Sequence, residues 1–158
     1  MGSLHKEVVA ILESKTWLED LKEIYGENLE CFGLWGTEPT LTIDKVPFFD
    51  LLKKFPKLKD ISFSTNLMTN PDILVKFISK LETLLFDERN LKLGIQISLD
   101  GPAFITDVNR VKDAATKIPD NLFYIVKKLN KLIFQGLEVE FRIKSTLTID
   151  NIRQLNAE

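Results

Sequence analysis

Apolar positions along this chain switch repeatedly between a helical and an extended period. Over residues 5–25, Val8, Val9, Leu12, Leu18, Leu21 and Ile24 recur near i, i+3 and i+4, which predicts one amphipathic helix closed by Gly26. A short apolar run over 29–35 predicts a strand. Asp44 is placed to cap a helix that runs to about Phe55 and is stopped by Pro56. Residues 60–65 predict a second strand, and Asn70 followed by Pro71 opens a helix over 72–86. Residues 91–99 predict a third strand. Asp120 precedes a helix over 121–134 that Gly136 ends, and 137–147 predict a fourth strand. Asp150 reads as the cap of one more helix. Strands alternating with amphipathic helices imply βαβ units, a parallel sheet and right-handed crossovers. The one long connection, residues 100–119, is rich in Gly, Pro, Asp and Lys, and connections of that length are usually functional.

The faces of the predicted strands differ. Ile61, Phe63 and Thr65 alternate with Ser62, Ser64 and Asn66, and Leu93, Ile95, Ile97 and Leu99 alternate with Gly94, Gln96, Ser98 and Asp100. Val139, Phe141 and Ile143 alternate with Glu140, Arg142 and Lys144. Side chains alternate across a strand, so each strand has one apolar and one polar face. A doubly wound sheet buries both faces and would be apolar throughout. The expected fold class is therefore α/β, a partial (βα) barrel with a parallel sheet and helices on one face. The polar face either lines a binding hollow or simply meets water.

Composition narrows the partners. The 158 residues make one domain's worth of chain, read as a single unit over 1–158. A net charge of −2 lacks the basic footprint of a nucleic-acid binder. The single cysteine, Cys31, excludes a disulfide framework and a Cys-rich zinc site; it fits a reducing cytoplasm and reads as a small buried hydrophobe. A single histidine excludes a catalytic triad and a His-rich zinc site. No apolar run approaches the roughly 18 residues of a membrane span.

Candidate chemistry collects at three strand tips: Trp35-Gly36-Thr37-Glu38-Pro39, Ser64-Thr65-Asn66, and Ser98-Leu99-Asp100-Gly101-Pro102. In a parallel sheet these lie side by side on the carboxyl edge, where α/β proteins place their sites, so Glu38, Asn66, Ser98 and Asp100 are expected to converge. Gly36 permits a sharp turn or close approach of a ligand, and Pro39 holds the preceding residues extended. Backbone carbonyls beside one carboxylate suit a cationic group such as an amine. The plainer readings are a capping carboxylate at Glu38, turn chemistry at Asn66, a structural turn at Asp100-Gly101-Pro102, and core or pocket wall at Trp35. Asp107 and Arg110 read as an ion pair that fixes the loop. Lys127, Lys128 and Lys131 read as the solvated face of their helix.

The order of a Gly-x-Glu-Pro tip, a Ser-Thr-Asn tip and an Ile-Ser-Leu-Asp-Gly-Pro tip resembles the core of radical S-adenosylmethionine (SAM) enzymes, most closely the branch with peptide-modifying and sulfatase-maturing members. Asp107 and Arg110 fit that family's Asp-x-x-Arg, and Thr146 to Asn151 resembles its Thr-x-Thr-x-x-Asn strand ending. The resemblance spans roughly 29–152 and implies a partial (βα)6 barrel. By resemblance, Trp35, Gly36, Thr37 and Glu38 would receive the SAM amino group, with Thr37 replacing the usual small residue. Asn66 and Ser98 would face SAM, and Arg142 or Lys144 would reach its carboxylate or ribose. The complete protein would act on a small-molecule or peptide substrate.

This chain departs from the family where the barrel should start. The cysteine loop that holds a 4Fe–4S cluster through three thiolates is not present in this sequence, and Cys31 lies inside a strand. The chain therefore reads as an internal portion of such a barrel, expected to be inactive alone, with the cluster belonging only to a complete parent protein. A rival reading is a non-catalytic degenerate barrel that binds a ligand or partner, with open sheet edges inviting self-association. A third is a cluster-free hydrolase using Glu38, Asp100 and Glu140.

Overall fold

The computed structural model describes residues 3–36, 38–85, 91–136, 138–146, 148, 149, 152 and 153. Four parallel strands, β1 (Cys31–Leu34), β2 (Asp60–Thr65), β3 (Lys92–Ser98) and β4 (Val139–Lys144), form one open sheet in the order β1-β2-β3-β4. Because each strand is added on the same side of its predecessor, right-handed crossovers place every connecting helix on one face. That face is the apolar one. Ile61, Phe63, Leu93, Ile95 and Ile97 are buried beneath α3 (Phe48–Lys54), α4 (Pro71–Leu85) and α6 (Ala114–Phe134). The opposite face, with Ser62, Ser64, Gly94, Gln96 and Ser98, is only half-buried. The expected α/β sheet of a partial barrel is thus the observed fold.

Several local expectations need correcting. The single N-terminal helix is two helices, α1 (Ser3–Ser14) and α2 (Thr16–Tyr25), broken at Lys15, whose φ of 59° is left-handed. The Ser14 hydroxyl donates to the Ile11 carbonyl at 2.7 Å, giving the backbone an alternative to the helical ladder. Asp44 caps no helix. Residues 39–45 form two 3-10 turns, Pro39–Leu41 and Ile43–Lys45, and α3 begins only after Pro47, which forces Val46 into an extended conformation. The connection over 100–119 is mostly helical: α5 (Ala103–Asn109) lies within it, and α6 starts seven residues before the position expected from Asp120. Pro119 sits in the second turn of α6 with its ring exposed, while Ala114, Ile118, Ile125, Leu129 and Leu132 form one continuous buried stripe. Packing of that stripe overrides the ladder bond lost at the proline. Asn70 does cap α4, accepting from the Asp72 N–H at 3.0 Å. Asp150 lies outside the described residues.

Cys31 is exposed rather than buried. Its pairing with Asp60 puts it in phase with Ser62 and Ser64, on the open face, whereas Phe32 and Leu34 turn towards the helices. Phe32 stacks on Trp17 with ring centroids 5.8 Å apart. No helix among the described residues is long and apolar enough to cross a membrane.

Candidate functional site

The carboxyl edge of the sheet is held by two carboxylates, each tying a pair of strand tips. Glu38 follows β1 in an extended conformation, and Pro39 opens the first 3-10 turn behind it. Its Oε1 accepts from the Thr40 hydroxyl at 2.5 Å, from the Thr65 hydroxyl at 2.7 Å, and more weakly from the Thr40 N–H at 3.4 Å. Its Oε2 accepts from the Asn66 N–H at 2.8 Å. The carboxylate thereby joins the tip of β1 to that of β2 while Oε2 keeps capacity for a further donor. Thr40 also contacts the Thr69 hydroxyl at 2.9 Å, and the Leu67 N–H donates to the Thr65 hydroxyl at 3.0 Å. Thr40 and Thr65 are both buried.

Asp100 performs the same task one strand pair along. It is 4% exposed, and its Oδ1 accepts from Arg110 Nη2 at 2.7 Å and from the Thr146 N–H at 3.0 Å. Burial alone would push its pKa up, but the Thr146 N–H, the Arg110 guanidinium and the Asn109 side chain outweigh it, and the carboxyl titrates below its usual range. The Ser145 hydroxyl adds a bond to the Leu99 carbonyl at 2.6 Å. The expected Asp107–Arg110 pair is not formed. Arg110 turns to Asp100, and Asp107 instead accepts from the Ala115 N–H at 2.8 Å.

Between these two ties lies the open face. Asn66 and Ser98 directly follow the paired residues Thr65 and Ile97, so the β2 and β3 tips end level. The Asn66 side chain accepts from the Met68 N–H at 2.9 Å, which is turn chemistry, while its own N–H serves Glu38. Lys144 is the register partner of Ser98 at the tip. Arg142 pairs with Gln96 one step further from the tip, and its guanidinium is engaged by Glu140, which also holds the Glu140 carboxyl below its usual range. Gln96 donates to the Ser64 hydroxyl at 3.4 Å. The set Glu38, Asp100 and Glu140 does not assemble into a hydrolytic pair. Glu140 pairs with Gly94, about 20 Å of strand away from Asp100 at roughly 3.3 Å per residue.

Trp35 is 61% exposed, and so is neither core nor enclosed wall. Its indole folds back over Gly33 on the open face, and a Cβ added to Gly33 would lie 2.3 Å from the indole nitrogen. Gly33→Ala is expected to swing the indole out and change the tryptophan fluorescence, with a stability change under about 1 kcal/mol because the displaced ring is a solvent-facing side chain. Gly36 behaves differently. Nothing lies within 4 Å of its absent Cβ, and its backbone is not in the left-handed region, so the fold itself does not demand glycine there. Thr37, Leu147 and Asn151 lie outside the described residues.

Two partners of Glu38 are not evident from the local pattern. Thr65 was assigned to the apolar face of its strand, and a hydroxyl at such a position, being buried, requires a partner. That requirement was the available signal for its bond to Glu38. Thr40 carried no comparable signal. Among the described residues no group of His, Cys, Asp or Glu is arranged to hold a metal ion.

No protein-family profile matches this sequence, and no curated protein does. A solved structure described as native anSMEcpe with bound AdoMet is similar in fold, with a TM-score of 0.50 and 25% sequence identity over 80% of this chain and 32% of that one. The chain thus spans about a third of that protein's length. The description of that neighbour names bound AdoMet, and the likeness is one of fold over most of this chain.

Proposed function

We propose that this chain forms the SAM-binding strand tips and one wall of a radical SAM core. The observation that carries the reading is the likeness to a neighbour holding AdoMet over most of this chain. The edge chemistry fits the ligand. The backbone at Trp35 and Gly36 is unobstructed by a side chain at residue 36, and Glu38 Oε2 retains a lone pair for the ammonium. Ser98 offers a hydroxyl and Lys144 a cation for the carboxylate or ribose, with Asn66 and Arg142 completing the wall. Beside a reduced 4Fe–4S cluster supplying one electron, SAM would be cleaved and would furnish the radical that abstracts a hydrogen atom. This chain's donor set does not fit such a cluster, because Cys31 is its only thiol and three are required. The chain's own contribution is therefore to bind and orient SAM, without turnover on its own; in a complete protein the substrate would be a small molecule or peptide.

The test is isothermal titration of SAM onto the chain and onto Gly36→Val. The variant is expected to keep its circular dichroism and melting temperature, since nothing packs on residue 36. It should bind SAM at least about tenfold more weakly, because the new side chain fills the approach to the carbonyls. Equal binding by both proteins, or none by the parent chain, overturns the assignment.

A further inference from the structure

On the helical side of the sheet, a cavity of about 610 Å³ opens between the two 3-10 turns with α3 and the flank of α4. Its floor is apolar and buried, made by Ile43, Val46, Phe48, Phe77 and Leu81. Two large apolar side chains, Leu41 and Phe49, stand at the opening 55% and 54% exposed. The cavity follows α4 from Ile73 to Leu81, about 12 Å at the helical rise.

The charges around it are unbalanced. Lys15 pairs with Asp50, and Lys45 is shared between Asp44 at 3.9 Å and Glu13 at 3.5 Å, so each acid at the rim has a lysine beside it. Lys76 and Lys80 sit one turn apart on the same flank of α4, and neither has an ion-pair partner among the described residues. A buried apolar floor beneath two ammonium groups that have no ion-pair partner among the described residues complements an amphiphile with a single anionic head. The volume falls in the range of about 300–1,000 Å³ typical of small-molecule sites.

We propose that this cavity binds a long-chain carboxylate of the fatty-acid class. The tail lies along Phe48, Phe77 and Leu81, and the head sits between Lys76 and Lys80. The site does not depend on the SAM reading, since its lining shares no residue with the proposed SAM wall.

Displacement of the fluorescent fatty acid cis-parinaric acid by palmitate tests it on the intact chain. Saturable binding of one molecule per chain is expected. Hexadecanol, with the same tail and no charge, should displace about five- to tenfold less well, as two partly solvated ion pairs would give. Lys76→Gln/Lys80→Gln, altered only at exposed positions, should lose the same factor for palmitate and bind the acid and the alcohol alike. Absence of saturable displacement overturns the proposal, as does undiminished palmitate binding by the double variant. Binding to phosphatidylglycerol vesicles without binding of monomeric palmitate overturns it in favour of a membrane-docking face.

Discussion

Glu38→Ala is expected to lower the stability of the chain by about 2–4 kcal/mol and to abolish SAM binding. The carboxylate accepts from two buried hydroxyls and the Asn66 N–H, with a weaker bond from the Thr40 N–H, and its removal takes the acceptor from the Thr65 hydroxyl and the Asn66 N–H while the Thr40 hydroxyl keeps its contact with Thr69. Each buried group left unsatisfied costs about 1–3 kcal/mol, reduced here by water reaching a partly open tip. For a chain of this length the loss corresponds to a fall in melting temperature of roughly 5–12 °C. Glu38→Gln keeps the shape and one acceptor oxygen, so about half of the destabilisation is expected. Because this side chain makes most of the hydrogen bonds between the β1 and β2 tips, with the Thr40–Thr69 hydroxyl contact beside it, the alanine variant also loosens the fixed carbonyl geometry that the SAM reading needs. A melting temperature within a degree or so of the parent's would show that the tie carries no energy. A destabilised variant that still bound SAM normally would separate the brace from the ligand site.

This double role explains why the site was only half legible in the sequence. The alternation of Ile61 with Ser62 and of Ile95 with Gln96 is a local property, and it was enough to place helices on one face and leave the other open. The order of tips was legible for the same reason, since parallel strands in sequence order must end on one edge. What could not be read locally was the partner of each carboxylate. Arg110 chooses Asp100 over Asp107 because α5 turns the intervening residues back onto the β3 tip, a three-dimensional fact that the spacing of Asp107 and Arg110 conceals. The residue type of Cys31 suggested burial, yet β1 is an edge strand of the described sheet, so residues on its open face stay exposed. At Pro119 a strong local rule pointed the wrong way, because a stripe running from Ala114 to Leu132 outweighs one missing ladder bond.

Asp100→Asn is expected to cost about 3 kcal/mol near neutral pH, most of it from leaving the Arg110 guanidinium half-buried without a counter-charge. The amide can still accept from the Thr146 N–H, so the β3–β4 tie is weakened rather than cut. The pH dependence separates charge from shape. The folded-state pKa of Asp100 lies below that of an unfolded aspartate, about 3.9, so as the pH falls the unfolded state takes up the proton first. The stabilisation is complete above the unfolded value and drains away as the pH drops through the folded one. Urea unfolding should therefore show a constant gap between the parent and Asp100→Asn from pH 7 to about pH 5, closing progressively below pH 4. A gap that persisted unchanged at low pH would mean that packing, not ionisation, sets the cost. Arg110→Ala makes the complementary point: it strands a carboxylate that is almost wholly buried, so its pKa should rise and acid unfolding should begin at higher pH. Removing both side chains should cost less than the sum of the single losses, since neither variant charge is then left alone. Strict additivity in that cycle would mean that the two groups act separately and that Asp100 holds the strand tips through Thr146 alone.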